Sequence, residues 1–329
     1  MSDRQGFTSR YGTMLAMLGM AVGTGNIWRF PREAASNGGG SFLVAWVVFL
    51  LLWSVPLILV EFSLGKGTRK GPVGAIAEIA GGERAWMGAW VAFVATAIMF
   101  YYSVVMGWTV RYLWGAVAGG LGGLAGAPGL GWLDAVAGAM GGSIPMFSRE
   151  TAQSFWDGYV GSGAAVATHA VALGLGVAVV ARGVSGIEKA ARILLPTLFV
   201  LVVVLAVRAV TLPGAGRGLE FLFTPSWGDL ARPELWLRAL SQNAWDTGAG
   251  WGLIVAYAVY LRKREDTALN SFLLGFGNNS VSLLAGIIVL CTVFAVVPAP
   301  AGEIASRLAD AGNEGLTFIW IPQLFGEIP

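Results

Sequence analysis

Gly19-Met20-Ala21-Val22-Gly23-Thr24-Gly25-Asn26 puts three glycines within seven residues at the middle of an apolar run that spans residues 11–31. A helix facing lipid would carry Leu or Val there, and each Gly costs about 1 kcal/mol of helix propensity relative to Ala. A second run, residues 237–261, repeats the anomaly in Asp246-Thr247-Gly248-Ala249-Gly250. Backbone that leaves the helix at bilayer depth is tolerated only where it is buried in protein or lines a polar cavity. Close helix packing through small residues would explain either break alone, but two breaks, each beside a polar residue, imply a site. An unwound segment frees carbonyls for a cation, and the half-helix that follows presents amides to an anion. A zwitterionic amino acid together with sodium fits that pattern.

The rest of the chain supports a membrane setting. Of 329 residues 56% are hydrophobic and 12% charged, with mean hydropathy +0.68, which excludes an ordinary soluble domain. Windows long enough to cross a hydrocarbon core, about 20 residues each, fall at residues 11–31, 42–64, 86–117, 163–182, 193–212, 237–261 and 271–298. Strands of a barrel would alternate and these runs do not, so the predicted class is an all-α integral membrane protein with seven spans. A net charge of +2 carries no information about partners, no nucleic-acid patch appears in the sequence, and the single cysteine, Cys291, cannot form an intrachain disulfide.

Lys and Arg fix the orientation. Arg4 and Arg10 precede the first span; Lys66, Arg69, Lys70 and Arg84 follow the second; Arg182, Lys189 and Arg192 follow the fourth; Arg262, Lys263 and Arg264 follow the sixth. All four clusters fall on one side, which by the positive-inside rule is the cytoplasm, with the N-terminus there. The predicted location is the cell inner membrane. The Gly-rich segment 119–161 and the loop 213–233 then lie outside, and residues 298–329 are expected to form an external cap.

The motif Ala21-Val22-Gly23-Thr24-Gly25-Asn26-Ile27-Trp28-Arg29-Phe30-Pro31, followed by Asn37-Gly38-Gly39-Gly40, resembles the neurotransmitter:sodium symporters, especially their bacterial amino-acid branch. The likeness runs through Glu61, Tyr101-Tyr102, Gly186-Ile187-Glu188-Lys189, Gln242 to Gly252, and Asn278. It implies the family's fold of two five-helix inverted repeats with discontinuous helices 1 and 6. Residues 11–212 would be the first repeat and 213–329 the start of the second, all within one transporter domain. On this reading the chain is C-terminally truncated, ending before the eighth helix.

The resemblance also implies residue roles. Sodium would be held at a first site by the Ala21 carbonyl, Asn26, Asp246, Asn278 and the substrate carboxylate, oxygen ligands that suit a hard cation. A second sodium would use carbonyls of Gly19 and Val22, with its remaining ligands beyond Pro329. Substrate would meet the backbone at Ala21, Gly23, Thr24 and Gly25, the Tyr102 hydroxyl, and walls from Ile98, Trp245, Gly248 and Trp251. Gly23 stands where monoamine-transporting relatives carry an aspartate, so an α-amino acid is expected, with a neutral apolar or aromatic side chain. Arg29 would belong to an external gate and Arg4 to an internal one. Glu61 is expected to be structural, accepting hydrogen bonds from the unwound segments.

Asp246 departs from the Ser or Thr that many relatives have. Ser282 and Gln242 match residues that hold chloride in chloride-dependent members, whereas Trp46 replaces a tyrosine of that set. Asp246 is therefore expected to act both as sodium ligand and as fixed counter-charge, so that chloride is not required. The predicted function is sodium-coupled amino-acid symport by alternating access. The alternative is a membrane receptor or accessory protein that binds an amino acid without moving it. Nothing resembles an enzyme: the only histidine, His169, stands alone in the fourth span, and no metal cluster, phosphate loop or nucleophile motif accompanies it. Oligomeric state is not legible.

Overall fold

The computed structural model describes residues 6–121 and 149–321, which form helices and no strand. The first span is α1 (Arg10–Ala21), a π-turn at Gly25–Arg29, and α2 (Phe30–Ser36). The second is α3 (Gly40–Phe49), a π-turn at Leu50–Ser54, and α4 (Val55–Thr68). A short α5 (Pro72–Ala80) leads to the long α6 (Ala85–Leu121). Then follow α7 (Arg149–Val160), α8 (Gly163–Val180), α9 (Gly183–Val210) and α10 (Gly216–Phe223). The sixth span is α11 (Pro233–Asp246) and α12 (Leu253–Ala258), the seventh is α13 (Thr267–Val296), and α14 (Ala301–Asp310) follows it.

Among the described residues five helices are long and apolar enough to cross a membrane: Gly40–Thr68, Gly82–Val117, Gly163–Val180, Gly183–Val210 and Thr267–Val296. The first and sixth spans bring the number to the expected seven, each divided into halves too short to cross alone. The fifth span begins ten residues earlier than its apolar window, because Ile187-Glu188-Lys189 sits inside the helix and Glu188 is buried against the N-terminal segment. Thr8 donates to Glu188 through its main-chain N–H at 2.8 Å and its hydroxyl at 2.6 Å, and Arg192 pairs with the same carboxylate at 2.6 Å. Hydropathy alone does not reveal α5, α7 and α10, which are too short for a spanning window.

The chain forms two compact units. One comprises the described residues up to Ala95 together with Arg182–Asn313; the other comprises Thr96–Ala181 and the stretch from Glu314. In the first unit α13 is central, packing on α1, α2, α4, α9 and α10. Its inward positions are nearly all buried, from Asn270 to Phe294. Met17, Ala21, Ile58, Phe62, Ala249, Ile254 and Leu274 form one apolar cluster beside the two breaks, and Leu15, Ala16, Val184, Ala191 and Leu195 form another between α1 and α9. Gly65 lets α4 close on α12: a Cβ there would lie 2.2 Å from the Val255 carbonyl oxygen. In the second unit His169 is not alone, its Nε2 lying 2.9 Å from Ser103 Oγ on α6.

Candidate substrate and cation site

The first break begins when α1 ends at Ala21 and Val22 turns extended (φ −74°, ψ 114°). Asn26 re-forms the chain: its Oδ1 accepts from Gly23 N–H at 2.7 Å, so the side chain takes the place of a missing helical carbonyl. The π-turn that follows widens the helix at Gly25–Arg29, a feature frequent at functional sites. The second break follows Asp246. Gly248, Gly250 and Gly252 have φ of 68°, 89° and 71°, a left-handed run that side chains other than glycine strain to adopt.

Glu61 supports this second break from α4. Its Oε1 accepts from Gly250 N–H at 2.5 Å and its Oε2 from Val255 N–H at 3.4 Å, so one carboxylate serves an amide of the unwound segment and one in the first turn of α12. Thr247 bonds back to Asn243 O at 2.7 Å, and Trp251 Nε1 to Ala244 O at 3.0 Å, folding the loop onto the end of α11.

The two breaks meet. Gln242 donates to Gly25 O at 2.9 Å, and a Cβ on Gly25 would lie 2.7 Å from Trp245 Cδ1. Between them lies a buried polar network in which Asn26, Gln242, Asn278 and Ser282 are wholly inaccessible to solvent. Asn26 Nδ2 donates to Asn278 Oδ1 at 3.0 Å and to Ser282 Oγ at 2.8 Å. Ser282 donates to Asp246 Oδ2 at 3.0 Å, and Gln242 to the same oxygen at 3.2 Å.

Asp246 Oδ1 is buried without a hydrogen-bond partner among the described residues. Buried carboxylate oxygens without donors are costly unless a cation or a proton attends them. The main-chain carbonyls of Ala21 and Asp246 also converge on the Asn278 amide, within 3.3 Å and 3.1 Å. The two carbonyls and the Asn278 amide oxygen face one another, and oxygens so placed fit a hard cation such as sodium.

Ala21, Gly23, Thr24, Gly25, Asn26, Trp245, Asp246, Gly248, Trp251 and Asn278 thus all belong to the first unit, along the two breaks and α13. Trp245 and Trp251 stand edge to face with centroids 5.6 Å apart, and a Cβ on Gly248 would have only Met20 Cε near it, at 3.8 Å. Ile98 and Tyr102 lie on α6 in the second unit, one turn apart and so on one helix face. Gly19 faces Leu195 of α9, with Val22 three residues further on.

Arg29 is not directed into solvent. Its Nη1 donates to Gln242 Oε1 at 2.9 Å, its Nη2 to Ser241 Oγ at 3.0 Å, and its guanidinium lies 5.7 Å from the centre of the Trp245 ring. Arg4 and the end of the expected cap lie outside the described residues.

Ser54, Asn243, Thr247 and Asn279 complete the polar network, and sequence reading assigned them no role. Ser54 Oγ donates to Asn243 Oδ1 at 3.2 Å, Asn279 Nδ2 to the same oxygen at 3.4 Å, and all four residues are buried. A signal was available. Gln242/Asp246, Asn243/Thr247 and Asn278/Ser282 are pairs at i, i+4, polar stripes on otherwise apolar spans.

The sequence model of the sodium:neurotransmitter symporter family matches residues 4–122 and 145–329. An uncharacterized sodium-dependent transporter of Methanocaldococcus jannaschii is 31% identical over 328 residues, 99% of this chain and 63% of that protein. The uncharacterized sodium-dependent transporter YhdH of Bacillus subtilis is 32% identical over 327 residues, 98% of this chain and 65% of that one. The chain therefore spans less than two thirds of the length of these relatives. Among solved structures, the crystal structure of MhsT in complex with L-phenylalanine is similar with a TM-score of 0.79 and 29% identity, over 99% of this chain and 67% of that one. With the all-α membrane fold and the two broken helices in place, the chain belongs to the sodium:neurotransmitter symporter family.

Proposed function

We propose that this protein carries a neutral apolar or aromatic amino acid across the cell inner membrane together with sodium, by alternating access, with its N-terminus in the cytoplasm. The observation that carries the reading is the oxygen cluster where the breaks meet. Ala21 O, Asp246 O and the Asn278 amide converge there, and Asp246 also carries a buried Oδ1 without a hydrogen-bond partner among the described residues. Sodium is cargo at this cluster, held by Ala21, Asn26, Asp246 and Asn278. Gly19 and Val22 would contribute carbonyls to a second sodium.

The amino acid is expected at the backbone of Ala21, Gly23, Thr24 and Gly25. Gly23 has no carboxylate to compete with the substrate's own, which favours an α-amino acid over a monoamine. Trp245, Trp251 and the bare Gly248 favour a bulky apolar side chain, in keeping with the L-phenylalanine bound by MhsT. On the family resemblance Ile98 and Tyr102 also serve the substrate, and Arg29 and Arg4 serve the gates. Ser282 and Gln242 both donate to Asp246 Oδ2. The carboxylate thus takes the donors that a chloride ion would need, and chloride is not required.

The test is uptake of labelled L-phenylalanine, leucine and tryptophan into proteoliposomes under an inward sodium gradient. Accumulation that collapses when potassium replaces sodium is expected. Saturable binding without accumulation would replace transport by a receptor role.

A further inference from the structure

The side-chain amide of Asn278 meets opposite demands. Facing the cluster, it has the carbonyl oxygens of Asp246 and Ala21 as neighbours; turned over, its Nδ2 would lie 3.1 Å and 3.3 Å from them and donate to both. By those two neighbours alone the amide would turn over. Three other amides hold it the opposite way. Asn26 gives its Oδ1 to Gly23 N–H at 2.7 Å and so presents Nδ2 to Asn278, which must answer with oxygen, at 3.0 Å. Asn278 Nδ2 then donates to Asn279 Oδ1 at 3.1 Å, and Asn279 Nδ2 to Asn243 Oδ1 at 3.4 Å.

Asn243 is the fixed end of this relay. Its Nδ2 bonds two main-chain carbonyls, Trp46 O at 3.0 Å on α3 and Ala239 O at 3.1 Å on its own helix, while its Oδ1 also accepts from Ser54 Oγ at 3.2 Å. Backbone carbonyls cannot exchange roles as an amide can, so they set the sense of every amide downstream. Turning Asn278 over would set donor against donor at Asn26 and acceptor against acceptor at Asn279. All four amides are buried, so no solvent offsets such mismatches.

We infer that Asn243 and Asn279 are positioning residues for the cation site. The relay they form, rooted on the Trp46 and Ala239 carbonyls, turns the Asn278 oxygen onto the Ala21 and Asp246 carbonyls. Three oxygens face one another at a cost that a hard cation removes. The relay thus keeps the site from closing on itself through Asn278 Nδ2, and it links cation binding to α3 and the π-turn that carries Ser54. This inference rests on the sodium-coupled reading above.

The experiment is equilibrium binding of 22Na+ to the purified protein in detergent, by scintillation proximity, with no transport required. In Asn279→Leu, Asn278 loses the acceptor for its Nδ2 and is released to turn over. Sodium affinity is expected to fall about tenfold or more, the value of one buried hydrogen bond to a polar partner. Asn279→Asp sets its second oxygen against Asn243 Oδ1 at the long 3.4 Å contact but keeps the acceptor for Asn278 Nδ2, and is expected to bind sodium within about threefold of the parent or more tightly. Parent-like binding by Asn279→Leu overturns the inference. So does a tenfold loss in Asn279→Asp, which decides the matter alone if the leucine variant does not fold. Absence of saturable sodium binding in the parent protein removes the sodium-coupled reading itself, and this inference with it.

Discussion

Ser282 Oγ donates to Asp246 Oδ2 at 3.0 Å while accepting from Asn26 Nδ2 at 2.8 Å, so one hydroxyl ties the two broken spans together through α13. The proton of that hydroxyl is committed to a carboxylate, and Gln242 adds a second donor to the same oxygen. On the function proposed above, this carboxylate is the counter-charge of the polar network, next to the cluster proposed for sodium.

Uptake is accordingly expected to proceed at the same rate in gluconate as in chloride. Asp246→Ser would keep a hydroxyl for the cation and remove the charge. An uncompensated buried charge costs about 3 kcal/mol, so sodium affinity in chloride-free buffer should drop about a hundredfold. Added chloride should restore part of it. A strict chloride requirement in the parent protein would contradict the role given to Asp246.

Glu61→Gln removes a charged acceptor and sets an amide nitrogen against either Gly250 N–H or Val255 N–H. A hydrogen bond to a charged group contributes about 1.5–3 kcal/mol, and a loss of stability near the middle of that range is expected. Chemical unfolding in detergent measures it. Glu61→Asp is too short to reach both amides and should lose a similar amount.

Three glycines on the first two spans should respond differently to alanine. Gly25→Ala drives a Cβ to 2.7 Å from Trp245 Cδ1, and Gly65→Ala to 2.2 Å from the Val255 carbonyl oxygen, whereas Gly67 has nothing within 4 Å. Overpacking costs about 1–3 kcal/mol at each of the first two. Gly25→Ala should mainly lower ligand binding and Gly65→Ala mainly lower stability. Gly67→Ala should be neutral or stabilising by up to about 1 kcal/mol, as thermal unfolding would report.

Arg29→Lys replaces a planar fork by a single ammonium. It cannot reproduce the contacts to Gln242 Oε1, Ser241 Oγ and Ser241 O together. Hydrogen exchange of the amides from Ser241 to Asp246 should quicken by about tenfold, equivalent to one lost charge-assisted bond. Unchanged exchange would mean that Arg29 does not steady α11.

Membrane class, seven spans and the position of both breaks were determined by the sequence alone, because apolar length and misplaced glycines are local properties that lipid makes decisive. Gly19 to Asn26 and Asp246 to Gly250 could be read as a site before any coordinate was known. The family motif then supplied residue roles. Only the tertiary structure decided which polar groups meet. Glu61 lies 189 residues from Gly250 in sequence, and Asn26 lies 256 from Ser282. No periodicity encodes such pairings.

The same holds for Asn243, Asn279 and Ser54, which read singly as stray polar residues on apolar helices. Their meaning lies in amide orientation, a property each inherits from the next partner and finally from the carbonyls of Trp46 and Ala239. Sequence determined that a polar site exists at the broken helices. The packing of α3, α11 and α13 decided which way its oxygens face, because a buried amide takes its direction from neighbours brought together only by the fold.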